Sequence, residues 1–410
     1  MFTRRIFTLR RSVAASVLSC LALAAGPLAA TAATAATTSD PAAGSSAWKL
    51  YDAGVSGPAV LDAVVAPARD DAWAAGFTID FGNSPSASSD CINVGTLDAL
   101  MLHWDGNAWH QVTVPDLGRI NAMSASSPAD VWASADCGLI HWDGTRWTIV
   151  SYAVPANSQQ PQNGAVVADR PNDAWMAGST YDAATGDMRA FIDHWNGRRW
   201  TRVPTPDLGA QYSLDAVDAQ GPDDVWVAGT DYTGDLADSP QPEQLILLHW
   251  DGTSWTRTTQ PATGDATNRV TGLQIQGQDS VWVVGWGKAS DDPDQNRLPL
   301  ALHWNGHTWT STAVPAGPGE LMGLTTTADQ DQWAVGDTYS PAQPTYTMDL
   351  LRRTPTGWVN APVPVSAEGS SLDAAAAIPG GGFWVVGNTA GTPAPSGAST
   401  FLPLIARHGL

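Results

Sequence analysis

From residue 48 to the C-terminus the chain alternates short apolar runs with clusters of Asp, Gly and Pro. The runs are four to six residues long and rich in Val, Ile, Leu and Trp. That pattern predicts strands and turns. No stretch sustains a helical period with caps. Two kinds of run recur. One reads Asp-Val-Trp-Val-Ala-Gly (Asp224–Gly229); the other reads Leu-Ile-Leu-Leu-His-Trp-Asp-Gly-Thr-Ser-Trp (Leu245–Trp255). Around them a four-stranded unit is predicted: strand A at Leu214–Ala219, strand B at Asp224–Gly229, strand C at Leu245–Trp250 and strand D from Trp255.

The tryptophans count the units. Trp73, Trp132, Trp175, Trp226, Trp282, Trp333 and Trp384 mark seven copies of strand B. Trp104, Trp142, Trp195, Trp250 and Trp304 lie in His-Trp-Asp/Asn-Gly turns, and each is followed five residues later by another Trp. Trp358 fills that later position in the sixth unit. Trp48 stands 25 residues before Trp73, inside the 23–28 residue spacing of the series, so it supplies a strand D without a unit of its own. The last unit stops at Leu-Pro-Leu-Ile-Ala-Arg-His-Gly-Leu, before its own strand D. A ring whose two ends share one unit does this. The prediction is all-β: a seven-bladed β-propeller of four-stranded antiparallel blades, the last closed by the N-terminal strand.

Most repeated residues read as scaffold. The Trp side chains are expected to be buried, with their N–H groups on backbone acceptors. The Asp two residues before the strand-B Trp (Asp71, Asp130, Asp173, Asp224, Asp331) is expected to cap the A–B turn. The Gly three residues after that Trp is expected to let the strand bend out of the sheet. His103, His141, His194, His249 and His303 recur at one blade position and are assigned to the scaffold. Arg352 and Arg407 take that position in the last two blades.

Residues 1–36 read as a signal peptide: Arg4, Arg5, Arg10 and Arg11, then an apolar run, then small residues near Ala33–Ala35. Thr3-Arg4-Arg5-Ile6-Phe7 resembles the start of a twin-arginine export signal, so both export routes stay open. Residues 37–47 are a linker, and 48–410 the propeller. The protein is therefore expected outside the cell, as a monomer without a membrane segment in its mature form. Removing the segment lowers the basic residues from 20 to 16 against 40 acids, a net charge near −24. Such a surface repels phosphate backbones, which excludes nucleic acid as a partner. Cys91 and Cys137 are the only cysteines beyond the signal peptide, and in an exported chain they are expected to pair.

Candidate chemistry sits where length varies. From the strand-B Trp to the following His position the gaps are 30, 9, 19, 23, 21, 19 and 23 residues, while the C–D turn is constant. B–C and D–A connections emerge on one face of a propeller, so one face carries the variable loops. Asp231, Asp235, Asp291 and Asp292 are candidate ligand-binding residues on it, and Trp286, outside the repeat sets, is a candidate platform for a sugar ring. Asp62, Asn121, Asp215 and Asp373 open their A strands and are candidate oxygen ligands for an axial Ca²⁺; the alternative is that each caps its own strand. No EF-hand spacing is present. No other cofactor is expected. No His-Glu-x-x-His, paired Cys-x-x-Cys, Gly-x-Ser-x-Gly or phosphate-loop pattern occurs.

The Asp-Val-Trp-Val-Ala-Gly and His-Trp-Asp-Gly-Thr-Ser-Trp runs resemble a repeat found in exported proteins of actinobacteria, grouped loosely with kelch and galactose-oxidase-like propellers. The resemblance spans Trp48 to Leu410 and implies a propeller; it brings no catalytic residues. The expected function is binding of an extracellular protein or carbohydrate through the B–C loop face, without catalysis. The alternatives are a polysaccharide hydrolase or lyase using loop-face Asp residues, and a cell-surface spacer.

Overall fold

A computed structural model of the chain describes residues 48–79, 97–152, 158–182, 184–209, 211–232, 243–265, 267–289, 296–340, 343–391 and 400–409. The expected signal peptide (1–36) and linker (37–47) lie outside them. The described residues form strands β1 to β28 in seven four-stranded antiparallel sheets, each strand beside its neighbours in sequence. One sheet is the exception. The closing strand β1 (Trp48–Tyr51) pairs with β28 (Phe401–His408), so the chain ends share blade seven, and its inner strand packs on that of blade one. The expected seven-bladed propeller is what forms. In blade four the strands are β14 (Tyr212–Ala219), β15 (Val225–Asp231), β16 (Gln244–Trp250) and β17 (Trp255–Arg257), each within two residues of the expected start and end.

Tryptophan clasps hold the blades together on the face of the A–B and C–D turns, the lower face below. Trp226 is 1% exposed; its ring stacks on His249 of its own blade at 4.4 Å and meets Trp304 and Trp309 of blade five at 5.4 and 5.5 Å. The same set links Trp73 to Trp142 and Trp147, and Trp132 to Trp195 and Trp200. Trp384 closes the ring on Trp104 and Trp109 of blade one. Blade six carries Arg353 in place of the turn Trp, and its guanidinium lies 4.8 Å over the Trp282 ring. A cation on an aromatic face substitutes for an aromatic pair there.

Two expectations are corrected. The Asp before strand B does not act as a turn cap; its carboxylate takes the ring nitrogen of the stacked His. His141 Nε2 lies 2.6 Å from Asp130, and His194, His249 and His103 lie 2.9, 2.9 and 3.2 Å from Asp173, Asp224 and Asp71. Blade six keeps the pairing with Arg352 on Asp331, and blade five with His303 on Ser280. Turn-set indoles do reach backbone: Trp142, Trp195 and Trp250 donate to Pro128, Pro171 and Pro222 carbonyls. Those of strand B do not. The indole N–H of Trp73, Trp132, Trp175, Trp226, Trp333 and Trp384 has no acceptor within the protein, and edge-to-face ring contacts are what surround most of them.

The upper half of each blade is shaped by a bulge. Every inner strand shifts register at one equivalent position, whatever further shifts it has: Asp62, Asn121, Gly164, Asp215, Thr271, Met322 and Asp373 each sit unpaired between two residues that face consecutive positions of strand B. The bulge throws the carbonyl two residues earlier onto strand B. That explains the repeated Gly. A Cβ on Gly229 would fall on the Ser213 carbonyl oxygen, and one on Gly76, Gly285, Gly336 or Gly387 would meet the corresponding carbonyl. Those glycines have no positive φ, so close approach and not bending selects them.

Candidate functional site

The start of strand A, the end of strand B and the start of strand C meet on the upper face, around the mouth of the axial channel. The seven bulge residues are all partly buried, with the preceding residue buried in most blades. Side chains at an unpaired position of the innermost strand reach the channel. Four of them are the oxygen-bearing residues singled out in the sequence. The structure brings all four to the mouth and gives each a protein partner. Asp62 accepts a bidentate pair from Arg119 of blade two, Nε to Oδ2 at 2.8 Å and Nη2 to Oδ1 at 2.7 Å. Asn121 donates to Asp136 at 3.0 Å. Asp215 accepts from Ser213 at 2.8 Å, whose hydroxyl also meets the Tyr232 hydroxyl at 3.1 Å. Asp373 accepts from Ser371 at 3.0 Å and from Asn388 at 3.4 Å.

Inter-blade ion pairs extend the same rim. Glu243, just before strand C of blade four, holds Arg269 of blade five, with Nη2 to Oε1 at 2.9 Å. Arg297, just before strand C of blade five, holds Glu320 of blade six. Trp286 lies between these two pairs. It is 6% exposed, with the Arg297 guanidinium 4.3 Å and that of Arg269 5.7 Å from its ring. The expected sugar platform is therefore a covered ring that orders two guanidiniums, because it ends strand B opposite Arg269 rather than standing in a loop. Asp231 ends β15 opposite Tyr212, at the same rim. Asp235, Asp291, Asp292 and Cys91 lie outside the described residues. Cys137, next to Asp136 at the rim of blade two, is disulfide-bonded.

Sequence reasoning missed Arg119, Arg269, Arg297, Glu320 and Asp337. Their signal was present: they occupy equivalent blade positions two residues before the bulge, just before strand C or at the end of strand B, but each blade fills them differently. Carboxylates outnumber the guanidiniums around the rim, and burial raises their proton affinity. Asp373 is pushed up to about 7 by burial and the nearby Asp62 charge. Burial likewise lifts Asp215 to about 6, against its hydrogen bond from Ser213 and the Arg269 charge. Asp62 is raised by burial, with Arg119 opposing. Among the described residues no three His, Cys, Asp or Glu side chains are grouped closely enough to hold a metal ion. A cavity of about 450 Å³ opens on the lower face across blades five, six and seven; amides, hydroxyls and apolar groups such as Gln274, Thr326 and Ile378 line it, without a titratable side chain.

No family model and no curated protein matches the chain. Solved structures do. One, of YCF48 bound to D1 peptide, aligns with a TM-score of 0.53 at 13% identity, covering 90% of this chain and 99% of that one. Another, a catalytically inactive virginiamycin B lyase from Staphylococcus aureus with quinupristin, aligns at 0.53 and 10% identity, covering 88% and 99%. This chain is a β-propeller. At these identities the likeness shows the fold alone.

Proposed function

We propose that this chain is an exported propeller that binds a protein segment through its upper face and does no chemistry on it. One observation carries the reading. Around the lower face the blades repeat the same Trp, His and Asp contacts, whereas around the upper mouth equivalent positions hold Arg in one blade, Glu in another and Ser in a third. A scaffold needs sameness from blade to blade; a surface fitted to an asymmetric ligand needs difference. The excess of carboxylate at the mouth suits a ligand with basic side chains. A similar propeller is solved with a peptide bound. A carbohydrate is the less favoured ligand, because the one candidate stacking ring is covered.

Export by the segment 1–36, membership of the actinobacterial repeat group and a Cys91–Cys137 staple across the rim of blades one and two belong to the same proposal. A polysaccharide hydrolase or lyase is the second reading, favoured by one feature: Glu320 and Asp337 face each other across strands at the mouth, as an acid–base pair must. A single incubation separates the readings. Purified residues 37–410 are mixed with a displayed peptide library and with a panel of bacterial, plant and fungal polysaccharides. Enriched peptides support the proposal. Soluble sugar fragments that vanish in Asp337→Asn contradict it in favour of the enzyme, and depletion onto polysaccharide without fragments moves the ligand class to carbohydrate. No signal in any arm contradicts binding and leaves a spacer.

A further inference from the structure

Blade six holds the least balanced part of the mouth. Glu320 opens its inner strand and is the register partner of Asp337 at the end of the second strand. Glu320 is 3% exposed and is occupied by Arg297. Asp337 is 6% exposed, and its Oδ1 has no hydrogen-bond partner within the protein. A carboxylate oxygen left bare at that depth is costly unless something complements it. The charges that act most on Asp337 are Glu320, Asp373 and Asp349 on one side and Arg297 on the other. Burial first, then Glu320 and Asp373, push its proton affinity well above the usual carboxylate range. Tyr339 and Tyr346, half-exposed and paired at 5.5 Å, stand at the same end of the blade.

The missing complement is one positive charge. A metal ion demands oxygens within about 2–2.6 Å of one point, and no three of these carboxylates are grouped for that. An ammonium or guanidinium makes N–H contacts of about 2.7–3 Å from several atoms and spans a wider set. Aromatic faces nearby add attraction for an organic cation and none of the specificity a metal needs.

We propose that the mouth between blades six and seven is a receptor for a single basic side chain, an arginine or lysine of the bound protein segment, held by Asp337 with Glu320 and Asp373 and flanked by Tyr346. This inference rests on the upper-face reading and names what that face selects. Asp337 is the primary acceptor, its carboxylate turning toward the mouth from beneath the rim, where Oδ1 is buried and unpartnered. Asp373 reaches the same charge from the channel side, and Arg297 holds Glu320 in place and keeps the site from accepting more than one cation. Because Asp337 and Asp373 hold protons at low pH, the cation displaces a proton, and affinity rises with pH. The groups facing Asp337 are Glu320, Asp373, Arg297, Asp349 and Tyr346, and those facing Asp373 include Asp62 and Arg119.

The test is calorimetric titration of the mature chain with Ac-Gly-Arg-Gly-NH2 and with the same peptide carrying uncharged citrulline. The arginine peptide is expected to bind at least about tenfold more tightly than the citrulline one, more tightly at pH 8 than at pH 5, and to lose that advantage in Asp337→Asn. Asp279→Asn, an equal change of charge on the lower face, keeps it. Asp337→Asn removes a carboxyl with a bare oxygen, so it melts at or above the parent temperature; should it fail to fold, Asp373→Asn carries the same expectation. Equal affinity for the two peptides, no binding of either, or an arginine preference that survives both variants overturns the assignment. Upper-face binding fails separately, only if library peptides also do not bind.

Discussion

At the residue scale, one type of side chain does two jobs according to which half of a blade it occupies. Asp224 at the lower end accepts from His249 and fixes the ring that stacks on Trp226. Asp337 at the upper end has a bare oxygen. Both are Asp beside an apolar strand with one buried oxygen that has no partner within the protein, Oδ2 in Asp224 and Oδ1 in Asp337, and local sequence does not distinguish them; what differs is the setting, a His from strand C on the other Asp224 oxygen and further carboxylates around Asp337. The Trp assignment is different, because a large apolar side chain repeated at one position has few other uses. Trp226 fills the contact between blades four and five, so Trp226→Ala is expected to cost about 3–5 kcal/mol. Chemical denaturation monitored by circular dichroism measures this, and an unchanged midpoint would remove the clasp from the account.

At the element scale, alternation of apolar runs and turn residues was enough to place the strands, because buried strands between Asp-Gly turns have no helical reading. It was not enough to place the bulges. A bulge inserts one residue into one strand of a pair, which a strand sequence such as Leu214–Val217 does not announce. The repeated glycine announced it indirectly, although bending was the wrong cause. Gly229→Ala separates the two causes. Close approach to the Ser213 carbonyl predicts a loss of about 1–3 kcal/mol from overpacking, whereas a strand that needs only to bend would accept Ala with little change. The blade-two counterpart is Ala135, so the reverse change Ala135→Gly is expected to lower stability by less than about 1 kcal/mol through backbone entropy. Thermal melts of both variants decide it.

At the scale of the whole molecule, a ring of seven blades was legible from tryptophan spacing, and its closure from the two chain ends. The upper rim was legible only in part. Asp62, Asn121, Asp215 and Asp373 were legible as the residues that open their strands, but the guanidinium that meets Asp62 comes from Arg119 of the neighbouring blade, which one repeat read alone does not reveal. Stability against pH follows from this burial. Asp373, Asp215, Asp218 and Asp349 hold their protons to about 7, 6, 6 and 6 in the folded chain, chiefly through burial, against an ordinary 3.8. Between those limits the folded state binds more protons than the unfolded one, so stability falls as pH rises from about 4 to 7. Burial lowers the proton affinity of His303 and His408, which acts in the opposite sense below their ordinary 6.5. The carboxyl groups are more numerous, and the melting temperature at constant ionic strength is expected to be higher at pH 5 than at pH 8. A flat profile would mean that these carboxyl groups are solvated in the channel.

The central claim is that one face of this ring is scaffold and the other is the binding surface. Hydrogen–deuterium exchange of the mature chain, with and without a peptide enriched from the library, tests it most directly. Protection is expected at the starts of the inner strands and the ends of the second strands, around Ser213–Asp215, Glu320–Met322 and Ser371–Asp373, with the C–D turns such as Asp251–Ser254 unchanged. Protection confined to those turns or to the groove at Gln274–Gln276 and Thr326–Gln330 would put the binding surface on the lower face and contradict the account.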